Sequence, residues 1–118
     1  MNEAPYEMDS DSRAIVLRTL AEVCSHRGWN LLAAHVRTNH VHVIVEAEEV
    51  QPEKVMNDFK AHASRALNRI EANEPGRRRW ARHGSTRWLW RDQDVGEAIR
   101  YVVEQQGEPM AIFLGDVP

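Results

Sequence analysis

Apolar residues recur at helical spacing after the polar stretch Asp9 to Ser12, with Ile15, Val16, Leu17, Leu20, Val23 and Cys24 repeating until Gly28. Side chains able to cap lie at the start and a glycine stop at the end, so a first helix is predicted here. Beyond Gly28 the period falls to two. In WNLLAAHV, Trp29, Leu31, Ala33 and His35 share one face and Leu32, Ala34 and Val36 the other, which predicts a strand leaving through the turn Arg37-Thr38-Asn39. His40 to Glu46 is the next strand, and the connection is too short for a crossover, so the pair is expected to be antiparallel. Pro52 suits the first residue of a second helix with the apolar stripe Val55, Met56, Phe59, Ala63, Ala66, Leu67 and Ile70. EANEPGRRR reads as a loop and Thr86 to Arg91, TRWLWR, as an aromatic-rich strand. Asp94 with Glu97 forms a capping-box pattern opening a third helix that stops at Gly107. Helix, strand, strand, helix, strand, helix predicts an α+β fold with helices against an antiparallel sheet.

A chain of 118 residues with 42% hydrophobic content fits one domain, residues 1–118, with 1–9 as a flexible acidic start. No apolar run approaches the roughly 18 residues of a membrane span, and the acidic, polar start is the reverse of a secretory signal; a cytoplasmic location is expected. Cys24, the one cysteine, excludes an internal disulfide and a thiolate zinc cluster. The net charge of −3 argues against a nucleic-acid partner, but it conceals an asymmetry. Lys60 to Arg91 holds nine Lys or Arg against Glu71 and Glu74, in an otherwise acidic chain. One basic segment on an acidic body can concentrate a phosphate backbone at one place; a solvated loop is the plainer reading of the same cluster.

The strand residues His40 and His42 share a face with Ile44, leaving Val41, Val43 and Val45 for the core. Two imidazoles side by side are either packed or surface residues, or two ligands of one divalent ion that lacks a third. In AIRYVVEQQGE, Tyr101 and Gln105 stand one helical turn apart on one face, a phenol beside a possible oxygen ligand. Phosphodiester cleavage through a covalent intermediate needs such parts, with a metal to polarise the phosphate and a hydroxyl to attack it.

NHVHVIV, Asn39 to Val45, resembles the histidine, hydrophobic, histidine (HUH) signature of the single-tyrosine transposases, which include the REP-associated tyrosine transposases. Tyr101 and Gln105 sit where that family carries its nucleophile and third metal ligand, and FKAHASRAL and GSTRWLW look like its helix and following strand; the likeness runs from about Ala14 to Gly107. The resemblance implies a ferredoxin-like or RRM-like antiparallel sheet with helices on one face and the histidines on the other. It implies that His40, His42 and Gln105 bind Mg²⁺ or Mn²⁺. Tyr101 would attack single-stranded DNA near a hairpin to give a 5′-phosphotyrosine and a free 3′-hydroxyl, in a chain working as a homodimer. The groups for DNA contact are Lys60, Arg65, Arg77, Arg78, Arg79, Arg82 and Arg87, with Trp80, Trp88 and Trp90 for stacking, although at least one of Trp88 and Trp90 is expected to be buried. His35 is expected to be a packed or exposed residue, with a supporting role to the pair as the other possibility.

The chain departs from that family at its start. Only EAPYEM precedes Asp9, where members open with a strand, so Tyr6 to Met8 supplies a stub, a partner chain covers the gap, or the strand is missing. Arg37-Thr38 also replaces the usual pair before Asn39. Three rivals stand beside the enzyme: an inactive or domesticated hairpin-DNA binder, a rolling-circle initiator or relaxase, and an RRM-like RNA-binding module. Binding alone needs neither Tyr101 nor Gln105; initiators and relaxases are usually larger; TNHVHVIV lacks clustered aromatic residues. Tyr6 is a competing phenol, but no second ligand accompanies it.

Overall fold

The structure is a computed structural model that describes residues 6–71, 79–80, 92–104 and 107–115. The elements run α1 (Ser10–Arg27), β1 (Asn30–Val36), β2 (Val41–Glu46), α2 (Pro52–Ile70), α3 (Asp92–Glu104) and β3 (Ala111–Leu114). The predicted strand Thr86 to Arg91 and the loop segment 72–78 lie outside the described residues.

Local chemistry accounts for the helix ends. Asp9 caps α1 by accepting the Ser12 N–H at 2.8 Å. Gly28, at φ 77°, closes it with a Schellman pair: its own N–H reaches Ser25 O, and the Trp29 N–H reaches Cys24 O at 2.8 Å. Pro52 opens α2 as expected. Val55, Phe59, Ala63 and Leu67 turn one stripe of α2 inward, and Trp29 meets Phe59 edge to face at 6.1 Å.

The sheet order is β2-β1-β3, with both pairings antiparallel. α1 and α2 cover one face, packing on Leu31, Ala34 and Val36, with Val41, Val43 and Val45 at the margin. α3 lies over the other face, where Ile99 and Val102 meet Leu32 and Ala33 beside Ile44. The helices are thus shared between the two faces rather than gathered on one.

Three features differ from the pattern-based expectation. The register Leu31↔Val45 followed by Ala33↔Ile44 leaves Leu32 as an extra residue. This bulge turns Leu31 to the side of Ala34 and Val36, and Leu32 to the side of Ala33 and His35, so simple alternation misassigns both leucines. Second, a short strand, β3, follows the turn at Gly107 and pairs with the other edge of β1. The Gly115 N–H extends that pairing to the bulged Leu32 carbonyl at 2.8 Å, and a Cβ at Gly115 would strike the Leu31 carbonyl oxygen. Third, residues 6–9, the described part ahead of α1, form no strand, yet the Met8 N–H reaches the Thr38 carbonyl at 2.7 Å and Met8 is buried.

Candidate active site

β2 presents His42 and Ile44 to the α3 face, and His40 stands just ahead of it. The two imidazoles lie nearly perpendicular, with centroids 4.9 Å apart. His42 also meets the ring of Tyr101, on α3, at 6.4 Å and 90°. Tyr101 is 52% exposed, so its phenol is open to a ligand arriving on this face. The structure therefore brings together three of the four residues that the sequence suggested. The fourth, Gln105, lies outside the described residues.

The nitrogens of the pair are arranged differently. His40 Nδ1 lies 2.7 Å from Asn39 Oδ1; with the imidazole N–H donating, the lone pair of His40 is left on Nε2. His42 Nε2 is buried with no hydrogen-bond partner among the described residues. An orphaned imidazole nitrogen beside a second available one suits a shared divalent ion, because a buried polar atom otherwise carries an uncompensated desolvation cost. Burial holds the His42 pKa below its ordinary value, and the electrostatic influence of His40, His35 and Arg37 nearby lowers it further. That favours the neutral imidazole, the form that ligates. Among the described residues no group of three or more His, Cys, Asp or Glu side chains gathers to hold a metal.

Directly across the sheet from His42 stands His35, fully buried. Its Nε2 accepts the Met110 N–H at 3.0 Å, which leaves Nδ1 to donate to the Val102 carbonyl, also at 3.0 Å. His35 is thus a packed residue that ties β1 to the helix turn next to Tyr101 and to the entry of β3. Arg37, read from the sequence only as part of a turn, is a residue the pattern missed. Its Nη1 donates to the Glu108 carbonyl at 2.9 Å, and Nη2 comes close to Gly107, so a guanidinium stands at the end of α3. The available signal was the alternation Ala33, His35, Arg37, which runs along the histidine face.

The remaining candidates divide. Arg79 is turned inward, with its side chain 2% exposed, and its guanidinium bonds Glu71 and Asn68 rather than facing a phosphate. Trp80 packs against the α1/α2 core and donates to Ser64 Oγ at 2.7 Å. Lys60 and Arg65 belong to α2, on the far side of the sheet from the histidines. Arg77, Arg78, Arg82, Arg87, Trp88 and Trp90 lie outside the described residues. Tyr6, the competing phenol, donates to the Glu71 carboxylate at 2.7 Å, and partial burial together with that bond pushes its pKa up to about 12. A phenol so held gives up its proton less readily than an ordinary tyrosine.

No curated protein and no solved structure matches this chain. A family model does, that of the IS200-like transposases, over residues 7–94, a span that contains both histidines and stops short of Tyr101. The match takes in most of the chain, and the chain belongs to the IS200-like transposase family, whose members cleave DNA.

Proposed function

We propose that this transposase cuts and rejoins single-stranded DNA beside a hairpin, with Tyr101 as the nucleophile and an HUH-type histidine pair as the metal anchor. The observation that carries the reading is the unpartnered Nε2 of His42, next to His40 and within ring contact of an exposed Tyr101. His40, His42 and Gln105 would hold Mg²⁺ or Mn²⁺, and the two imidazoles favour Mn²⁺, because Mg²⁺ prefers oxygen ligands. Such an ion supplies positive charge to the non-bridging oxygens of the scissile phosphate.

The chain's own residues do the rest. The Tyr101 phenol loses its proton and its oxygen attacks phosphorus. The bond to the 3′ oxygen breaks, that oxygen leaves with a proton as a 3′-hydroxyl, and the 5′ side stays on Tyr101 as a phosphotyrosine. Attack by another 3′-hydroxyl reverses the step and joins strands without an external energy source. Arg37 stands on the same face to pair with the phosphate, and Arg77, Arg78, Arg82 and Arg87 extend the contact along the strand. β2, an edge strand among the described residues, offers a side on which a second copy completes a homodimer.

The test is incubation of the protein with labelled hairpin DNA and Mn²⁺, read as a covalent adduct on a denaturing gel. The adduct requires metal and disappears in Tyr101→Phe, while hairpin binding by that variant persists. Hairpin binding by the parent protein with no adduct under any divalent metal sinks the cleavage reading and leaves a DNA-binding relative.

A further inference from the structure

His42 is placed by the fold, inside the sheet and directly across from His35. His40 is not: it stands just ahead of β2, and both it and Asn39 are exposed, so packing does little to fix either. The Arg37 N–H closes the hairpin on the His40 carbonyl at 2.9 Å, leaving Thr38 and Asn39 as the loop residues between them. Neither has a positive φ. A two-residue loop that matches the twist of its strands needs a positive φ at its first residue, so this turn is not held by its own conformation. Contacts from outside the hairpin hold it instead. The Met8 N–H donates to the Thr38 carbonyl at 2.7 Å, and the Thr38 hydroxyl donates to Met110 Sδ at 3.6 Å.

The donor is itself fastened on every side. The Met8 side chain is buried in the α1/α2 core, and its carbonyl accepts Arg13 Nη1 at 2.8 Å. Asp9, the next residue, caps α1, and Tyr6, two residues earlier, donates to Glu71 at 2.7 Å beneath the Arg79 guanidinium. A backbone N–H delivered in this way acts as a strut rather than a fraying end. We propose that Met8 is a positioning residue for the metal anchor, acting through the turn on His40. The Thr38 carbonyl belongs to the planar peptide that leads into Asn39, so holding its oxygen fixes the plane on which the Asn39 Cα sits. Asn39 Oδ1 then holds His40 Nδ1 at 2.7 Å and leaves the lone pair on Nε2, the atom offered to the ion. The inference rests on the reading of the histidine pair as a metal anchor, and it adds that affinity for the ion depends on a residue that is not a ligand.

The experiment needs no DNA and has two arms. In the first, Mn²⁺ is titrated calorimetrically into the parent protein, Met8→Pro, Met8→Leu and His40→Ala. Met8→Pro, which deletes the N–H, is expected to bind about tenfold more weakly, in the lower part of the range for groups that orient a ligand. Met8→Leu, which keeps the N–H and the buried bulk, is expected to stay within about twofold of the parent. A merely structural bond would lower the stability of Met8→Pro and leave the Mn²⁺ affinity of its folded form alone. The second arm uses the parent alone and so stands even if Met8→Pro does not fold: amide hydrogen exchange with and without saturating Mn²⁺, read by mass spectrometry at residue level. Coupling is reciprocal, so the ion is expected to slow exchange at Met8 by about the same tenfold, while the Gly115 amide, bonded at the other end of β1, changes less than about twofold. Exchange at Met8 that Mn²⁺ leaves unchanged overturns the proposal, as does equal slowing at Met8 and Gly115. Where the parent binds Mn²⁺ and His40→Ala does not, that result overturns the role of Met8 alone. A parent that binds no Mn²⁺ overturns the metal anchor and this proposal together.

Discussion

His35 and Asn39 each position something, and they differ in what else they carry. His35 satisfies the Met110 N–H and the Val102 carbonyl from a fully buried site. His35→Leu keeps the bulk but strands both groups, so it is expected to cost about 2–3 kcal/mol, read as a lowered urea midpoint with an unchanged slope. It is also expected to weaken adduct formation, because Val102 adjoins Tyr101. Asn39 is exposed and, among the described residues, its side chain bonds only the His40 ring. Asn39→Ala is expected to leave stability within about 0.5 kcal/mol. Having lost the partner that holds His40 in one tautomer, it should bind Mn²⁺ roughly 10- to 100-fold more weakly, as titration calorimetry would read. Equal metal affinity in the variant and the parent would remove Asn39 from the site.

At the scale of the element, α1 shows how little of a helix depends on the rest of the molecule. Its first turn is closed by Asp9, whose carboxylate accepts the Ser12 N–H, and that bond, followed by the Ser12 side chain, holds the Asp9 carboxyl below its ordinary value of 3.8. A folded-state value below the unfolded one makes the ionised cap stabilising above the unfolded pKa, and that contribution fades as pH falls through the folded value. Asp9→Ala is therefore expected to lower the melting temperature near neutral pH, with the gap narrowing once the pH drops below the ordinary aspartate range. A gap that is constant with pH would assign the effect to helix propensity instead. The stop at Gly28 and the start at Pro52 are equally local, and both were legible because caps involve residues only a few positions apart.

Across the whole molecule, one carboxylate joins segments that are remote in sequence. Glu71, at the end of α2, accepts from Tyr6, from buried Ser12 at 3.1 Å and from Arg79 at 3.1 Å, while the Arg79 guanidinium sits 5.4 Å above the Tyr6 ring. Glu71→Ala leaves a nearly buried guanidinium without its counter-charge and is expected to cost about 3 kcal/mol by thermal or urea unfolding. In the same variant the Tyr6 phenol is expected to titrate below about 12, since its carboxylate acceptor is gone. A loss under about 1 kcal/mol would show the cluster to be surface decoration. The clamp also explains why Arg79, a member of a run of arginines, is turned inward. A charge run read from sequence is solvated unless something distant claims one of its members, and Glu71 does.

The sequence by itself determined the helices and the two hairpin strands, and with them the placing of His40 and His42 on the face opposite the valines. Periodicity, caps and the short turn at Arg37 to Asn39 act between residues close along the chain, so they need no knowledge of the fold. Only the tertiary structure decided that β3 lines the second edge of β1, since a four-residue apolar run has no preferred partner until that edge is there to be filled. It also decided the bulge at Leu32, which sends Leu31 and Leu32 to opposite cores, and the seat of α3 that brings Tyr101 to His42. Those outcomes depend on which buried groups find partners across the sheet, and the residues that supply them stand far apart in the chain: His35 with Val102, and Leu32 with Gly115.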